Sequence, residues 1–114
     1  MSKISISIAT PARSLEAVSL IRAVVGLSID SIFSRLARGK EGVFFCAELF
    51  LNDHPEVDKN IRTLLSGLIM LGLEPFIMEI SEHEAWGDVQ DFNSVRISAV
   101  ELIGMLDEAS GKFL

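Results

Sequence analysis

The sequence predicts an α+β fold: a small antiparallel sheet with helices packed on it, in the order β-α-α-β-α-β, followed by a short strand and a final helix. Three observations carry this expectation. KISISIA (residues 3–9) alternates strictly between apolar and polar residues, the period of a strand with one face buried. Four stretches space their apolar residues at helical intervals. VFFCAELFL (43–51) is apolar and aromatic on both faces, as a strand covered from two sides would be.

The elements follow in order. In the first strand Ile4, Ile6 and Ile8 share one face and Lys3, Ser5 and Ser7 the other, which reads as a half-buried strand near a sheet edge. Thr10-Pro11 ends it. Ser14 caps a helix to about Val25, with Leu15, Val18, Ile21 and Val25 inward and Gly26 as its stop. Ser28 caps a second helix, whose Ile29, Ile32, Phe33 and Leu36 follow the i, i+3, i+4, i+7 pattern and which ends at Gly39. After strand 43–51, Asp53-His54-Pro55-Glu56 has the composition of a helix start. That helix runs to about Leu71 with Val57, Ile61, Leu64, Leu65 and Leu68 inward, and Gly72 closes it. Its end, Leu68-Ile69-Met70-Leu71, is apolar all round and is expected to be covered from more than one direction. EPFIMEI (74–80) reads as a strand and NSVRIS (93–98) as a short fourth one. Ser98 and Glu101 form a capping box for a last helix with Leu102, Ile103, Leu106 and Ala109 inward. A sheet with helices on one face leaves the other bare, and the 98–110 helix is the expected cover, with a homodimer as the alternative.

A chain of 114 residues with 49 % hydrophobic residues is one domain with a modest core, residues 3–80 forming its body and 81–114 an extension. The net charge of −6 is unevenly spread. Residues 1–40 hold six bases and two acids, while residues 41–114 hold four bases and fourteen acids. From Thr63 to Val95 there is no lysine or arginine, against six acids. That distribution disfavours nucleic acid and anionic membranes as partners and favours a basic protein facing the second half. The single cysteine, Cys46, makes no intrachain disulfide and fits a cytoplasmic location; its apolar neighbours predict a buried, inert thiol. The longest apolar run, LLSGLIMLGL (64–73), is too short to span a bilayer.

Three segments carry a family likeness: Leu20-Ile21-Arg22-Ala23-Val24, then Gly26-Leu27-Ser28-Ile29, then Leu71-Gly72-Leu73-Glu74-Pro75-Phe76-Ile77. With the order of elements over residues 3–80, they resemble the C-terminal domain of the bacterial ribosomal stalk protein, whose fold the Clp protease adaptor shares. The resemblance implies a β-α-α-β-α-β core and an interaction protein that binds through its first two helices, here around Arg22, Arg35 and Arg38. The stalk domain has lysines on its second helix, where Ser28-Ile29-Asp30-Ser31-Ile32-Phe33 stands in this chain.

SEHEAWGDVQDF (81–92) is the segment richest in chemistry. A zinc site needs three or four converging ligands. The chain has two histidines, His54 belongs to a helix start, and Glu82-His83-Glu84 alone falls short, so no metal is expected. No GxSxG, P-loop, GxGxxG or HExxH motif occurs, and neither an enzymatic activity nor a cofactor is expected, a small enzyme or metal-binding protein standing as the last alternative. Trp86 is the one tryptophan, set between acids and next to Gly87. It reads either as a hot-spot anchor for a partner or as a residue folding back to close the core with Phe92. The expectation is a protein-binding module in which Glu79, Glu82, Glu84, Asp88 and Asp91 steer a basic partner and Trp86 anchors it. Its most concrete version is an immunity or antitoxin protein that neutralises a basic bacterial toxin.

Overall fold

A computed structural model describes residues 2–49 and 54–109, and the architecture is α+β. Strand β1 (Ser2–Ile8) leads to helices α1 (Leu15–Val25) and α2 (Ile29–Ala37), then β2 (Phe45–Glu48), α3 (His54–Met70), β3 (Pro75–Ser81), β4 (Arg96–Ile97) and α4 (Ala99–Ala109). The sheet is antiparallel with the order β2-β1-β3-β4.

Local chemistry sets the helix ends. The Ser14 and Ser28 hydroxyls accept the backbone N–H groups of Ala17 (3.1 Å) and Ser31 (3.2 Å), meeting donors that the first helical turn leaves unpaired. Ser98 and Glu101 form the reciprocal box, the Glu101 N–H donating to Ser98 Oγ and the Ser98 N–H to Glu101 Oε1. At Gly26 (φ 81°) and Gly72 (φ 77°) the chain turns left-handed as α1 and α3 end, a conformation glycine adopts without penalty. Asp53, at the expected start of α3, lies outside the described residues.

One apolar core lies between the sheet and all four helices. Ile4, Ile6, Ile8 and Ile77 project from the sheet into it; Ala17, Val18, Ile21, Ile32 and Leu36 come from α1 and α2. All five residues expected of α3, Val57, Ile61, Leu64, Leu65 and Leu68, are buried there, as are Leu102 and Leu106 of α4. Arg62 ties α3 to α4: its guanidinium donates to Asp58 and, at 2.6 Å, to Asp107. These two hydrogen bonds, before any effect of burial, hold the guanidinium even more firmly charged than usual.

Several expectations are corrected. β1 is a central strand, because β3 pairs along its whole length while β2 pairs on the other side. The rows of polar and apolar residues were right, yet Ser5 and Ser7 are buried too. β2 is confined to four residues; Phe45 and Ala47 pack toward the helices, and Phe50 and Leu51 lie outside the described residues. Leu15 is 70 % exposed and Ile29 44 %, since the first turns of α1 and α2 overhang the core. The end of α3 is not enclosed: Ile69, Met70 and Leu71 are exposed, with Met70 at 85 %. Finally, α4 does not cover the second face of the sheet. Its leucines enter the same core as α3, and a different segment lies on the other side.

Candidate functional site

The second face of the sheet follows from the register. Ser5 lies opposite Cys46 on one side and Met78 on the other, Lys3 opposite Glu48 and Ile80, and Ser7 opposite Phe76. Period-two alternation therefore gives this face a polar row on β1 beside an apolar row, Phe76, Met78 and Ile80, on β3. All three apolar residues are buried. Their cover comes from the same chain, through residues 82–95, in two short 3-10 turns (Trp86–Asp88 and Phe92–Val95). Trp86, Val89 and Phe92, all half-buried, line a cavity with Ser5, Cys46 and Met78. Arg96 completes the cover, stacking 4.6 Å over the Phe76 ring while its guanidinium donates to Glu74.

Specific polar contacts fix this layer. Residues 81–84 form a turn in which the Glu84 N–H donates to the Ser81 carbonyl, and the Ser81 N–H donates back to Glu84 Oε1 at 3.1 Å. Lys3 Nζ donates to the Glu84 carbonyl at 2.8 Å, binding the turn to β1. Asp91 Oδ1 accepts the Asn93 N–H at 3.1 Å, and its carbonyl accepts Ser94 Oγ at 2.7 Å, so it caps the second 3-10 turn.

The expected binding residues thus separate by role. Glu82, Glu84, Asp88 and Asp91 are all exposed on this layer. Glu84 and Asp91 also hold its backbone, whereas Glu82 lies 3.5 Å from His83 Nε2. Glu79 is not brought to them. It projects from β3 on the helix side of the sheet, in register with Ile4, and is half-buried. The Trp86 indole lines the cavity against the sheet and is half-exposed at the surface, a position that serves both readings of it. On the first two helices, Arg22 and Arg38 are exposed, but Arg35 donates to the Val43 carbonyl and to Ser31 Oγ and so serves the fold.

Sequence reasoning missed the three residues on the floor of this layer. Cys46 is exposed rather than buried, because it sits on the short edge strand with only partial cover. Burial against the cavity nevertheless pushes its thiol above the ordinary value, and the Arg35 charge pulls partly the other way. It is therefore a protonated thiol near neutral pH, a poor nucleophile. Met78 is the apolar centre of the face. Ser5 is 2 % exposed, and its Oγ has no hydrogen-bond partner among the described residues, whereas Ser7 Oγ donates to the Lys40 carbonyl at 2.9 Å. A buried hydroxyl without a partner forfeits its hydration for nothing. Ser5→Ala is accordingly expected to raise stability by about 1 kcal/mol, read as a higher urea midpoint. A lower midpoint would mean that the hydroxyl is satisfied in solution.

Among the described residues no three histidine, cysteine or acidic side chains converge, and no single helix is long and apolar enough to cross a membrane. In comparisons with known proteins, no family model, no curated protein and no solved structure matches the chain.

Proposed function

We propose that the protein is a binding module for a basic protein partner, and that residues 82–95 present the docking surface. The observation that supports this reading most is the way the acids are displayed. Four carboxylates, at Glu82, Glu84, Asp88 and Asp91, stand exposed on a segment held in place by its own caps and by its seat on the sheet. A preorganised surface loses less entropy on binding than a loop that must order first. A one-signed patch also accelerates encounter with an oppositely charged partner. Within this reading, an immunity or antitoxin protein against a basic toxin is the most specific version. Its inhibitory role would consist of covering the toxin's cationic surface, with no chemistry of its own.

Glu82 and Asp88 are the positions at which to test it, because the hydrogen bonds that fix the 81–84 and 91–94 turns come from Glu84 and Asp91. The E82K/D88K variant should keep the native far-ultraviolet circular dichroism. Association with its basic protein partner should slow by about tenfold at low salt relative to the wild type, with the two rates converging as salt is raised. An equal change from R22E/R38E, with none from E82K/D88K, would move the interface to the first two helices and overturn the reading.

A further inference from the structure

We propose that the cavity beneath Trp86, Val89 and Phe92 is a binding site for a small neutral aromatic molecule carrying one hydroxyl group, of the size of a cresol. Four observations lead there. The cavity has a volume of about 210 Å³. A cavity of roughly 150 Å³ accepts benzene, so this one suits a single ring with one or two small substituents. Among the described residues its walls bear no charged side chain: Val43, Met78, Val89 and Phe92 are apolar, and the polar side-chain groups are the Ser5 hydroxyl, the Cys46 thiol and the Trp86 indole N–H. A charged ligand would be desolvated there without a counterion, which excludes carboxylates and amines as the preferred class.

The third observation is the Ser5 Oγ, without a hydrogen-bond partner among the described residues, on a residue 2 % exposed that lines the cavity. A ligand hydroxyl meets the single demand and leaves the rest of the ring to apolar contact. The fourth is the nature of that contact. Trp86 and Phe92 favour offset or edge-on packing against a ring, and the Met78 sulfur favours a ring edge. Exposed Cys46 marks the side, along edge strand β2, from which such a molecule enters.

The site lies under the acidic surface and does not depend on a protein docking above it. The test uses the intact protein, with p-cresol and toluene as probes and the emission of Trp86, the one tryptophan, as readout. Emission should change saturably, with a Kd for p-cresol between about 10 μM and 1 mM and toluene roughly tenfold weaker. Ser5→Ala should bring the two probes to equal affinity, and Cys46→Phe, which fills the cavity, should abolish saturable binding of both. Should Cys46→Phe not fold, the rate at which iodoacetamide alkylates Cys46 in the wild type replaces it, and p-cresol should slow that reaction at concentrations matching its Kd. The proposal is overturned if emission does not saturate with p-cresol, if Ser5→Ala retains the preference for p-cresol over toluene, or if folded Cys46→Phe binds as the wild type does.

Discussion

Gly42→Ala is expected to cost about 3 kcal/mol or more, enough to remove much of the stability of a domain this size. A β-carbon at this position would stand 1.7 Å from the carbonyl oxygen of Arg35 and 2.5 Å from its carbonyl carbon. Those are backbone atoms of α2, between the buried side chains of Ile32 and Leu36, so they have no cheap way to retreat. The same carbonyl accepts the Arg38 N–H that ends the helix, and the Arg35 guanidinium reaches forward to the Val43 carbonyl. One methyl group would therefore pry apart the junction through which α2 hands the chain to β2. Gly104→Ala is the control. It lies within α4, where an added β-carbon meets nothing within 4 Å, and alanine's helix propensity should stabilise by about 0.5–1 kcal/mol. Urea unfolding of both variants checks this; a Gly42→Ala midpoint equal to the wild type's would mean that the 42–43 junction is looser than described.

Trp86→Ala is expected to cost about 2–3 kcal/mol, toward the lower end of aromatic truncations because the indole is only half-buried. The more telling effect is on the surface. Without the indole the 82–95 layer loses its largest apolar contact, and Met78 and its neighbours Phe76 and Ile80, now 2–4 % exposed, become accessible to water. The variant should bind the dye ANS where the wild type does not, while far-ultraviolet circular dichroism stays close to native. If Trp86→Ala leaves both the midpoint and the dye signal unchanged, the indole belongs to a partner interface and not to the sheet.

What could be read in the sequence was the information that is local. Strict alternation named Ile4, Ile6 and Ile8 as a core row, and serine caps and the Ser98–Glu101 box placed helix starts to within a residue. Five of five inward residues of α3 followed from spacing alone. What could not be read depends on partners distant in the chain. Whether Ser5 faces water is decided by residues 82–95, roughly eighty positions away, and whether Ser7 does by the turn at Lys40, whose carbonyl it meets; alternation cannot distinguish solvent from a second cover. The same blindness sent α4 to the wrong face: its stripe of Leu102 and Leu106 says that one side is buried, not against what. Glu79 was grouped with the acids after it because it is near them in sequence, yet the strand's period of two puts it on the opposite side of the sheet. Trp86 is open between two roles in the sequence, and its half-buried seat over the cavity serves both.

Both the acidic face and the cavity exist only if residues 82–95 lie against the sheet, and nuclear Overhauser contacts measure that directly. The rings of Trp86 and Phe92 should show cross-peaks to the Met78 methyl group, with the Met78 methyl shifted upfield by the rings. Random-coil shifts across 85–92, with no cross-peak from either ring to Met78, would contradict it.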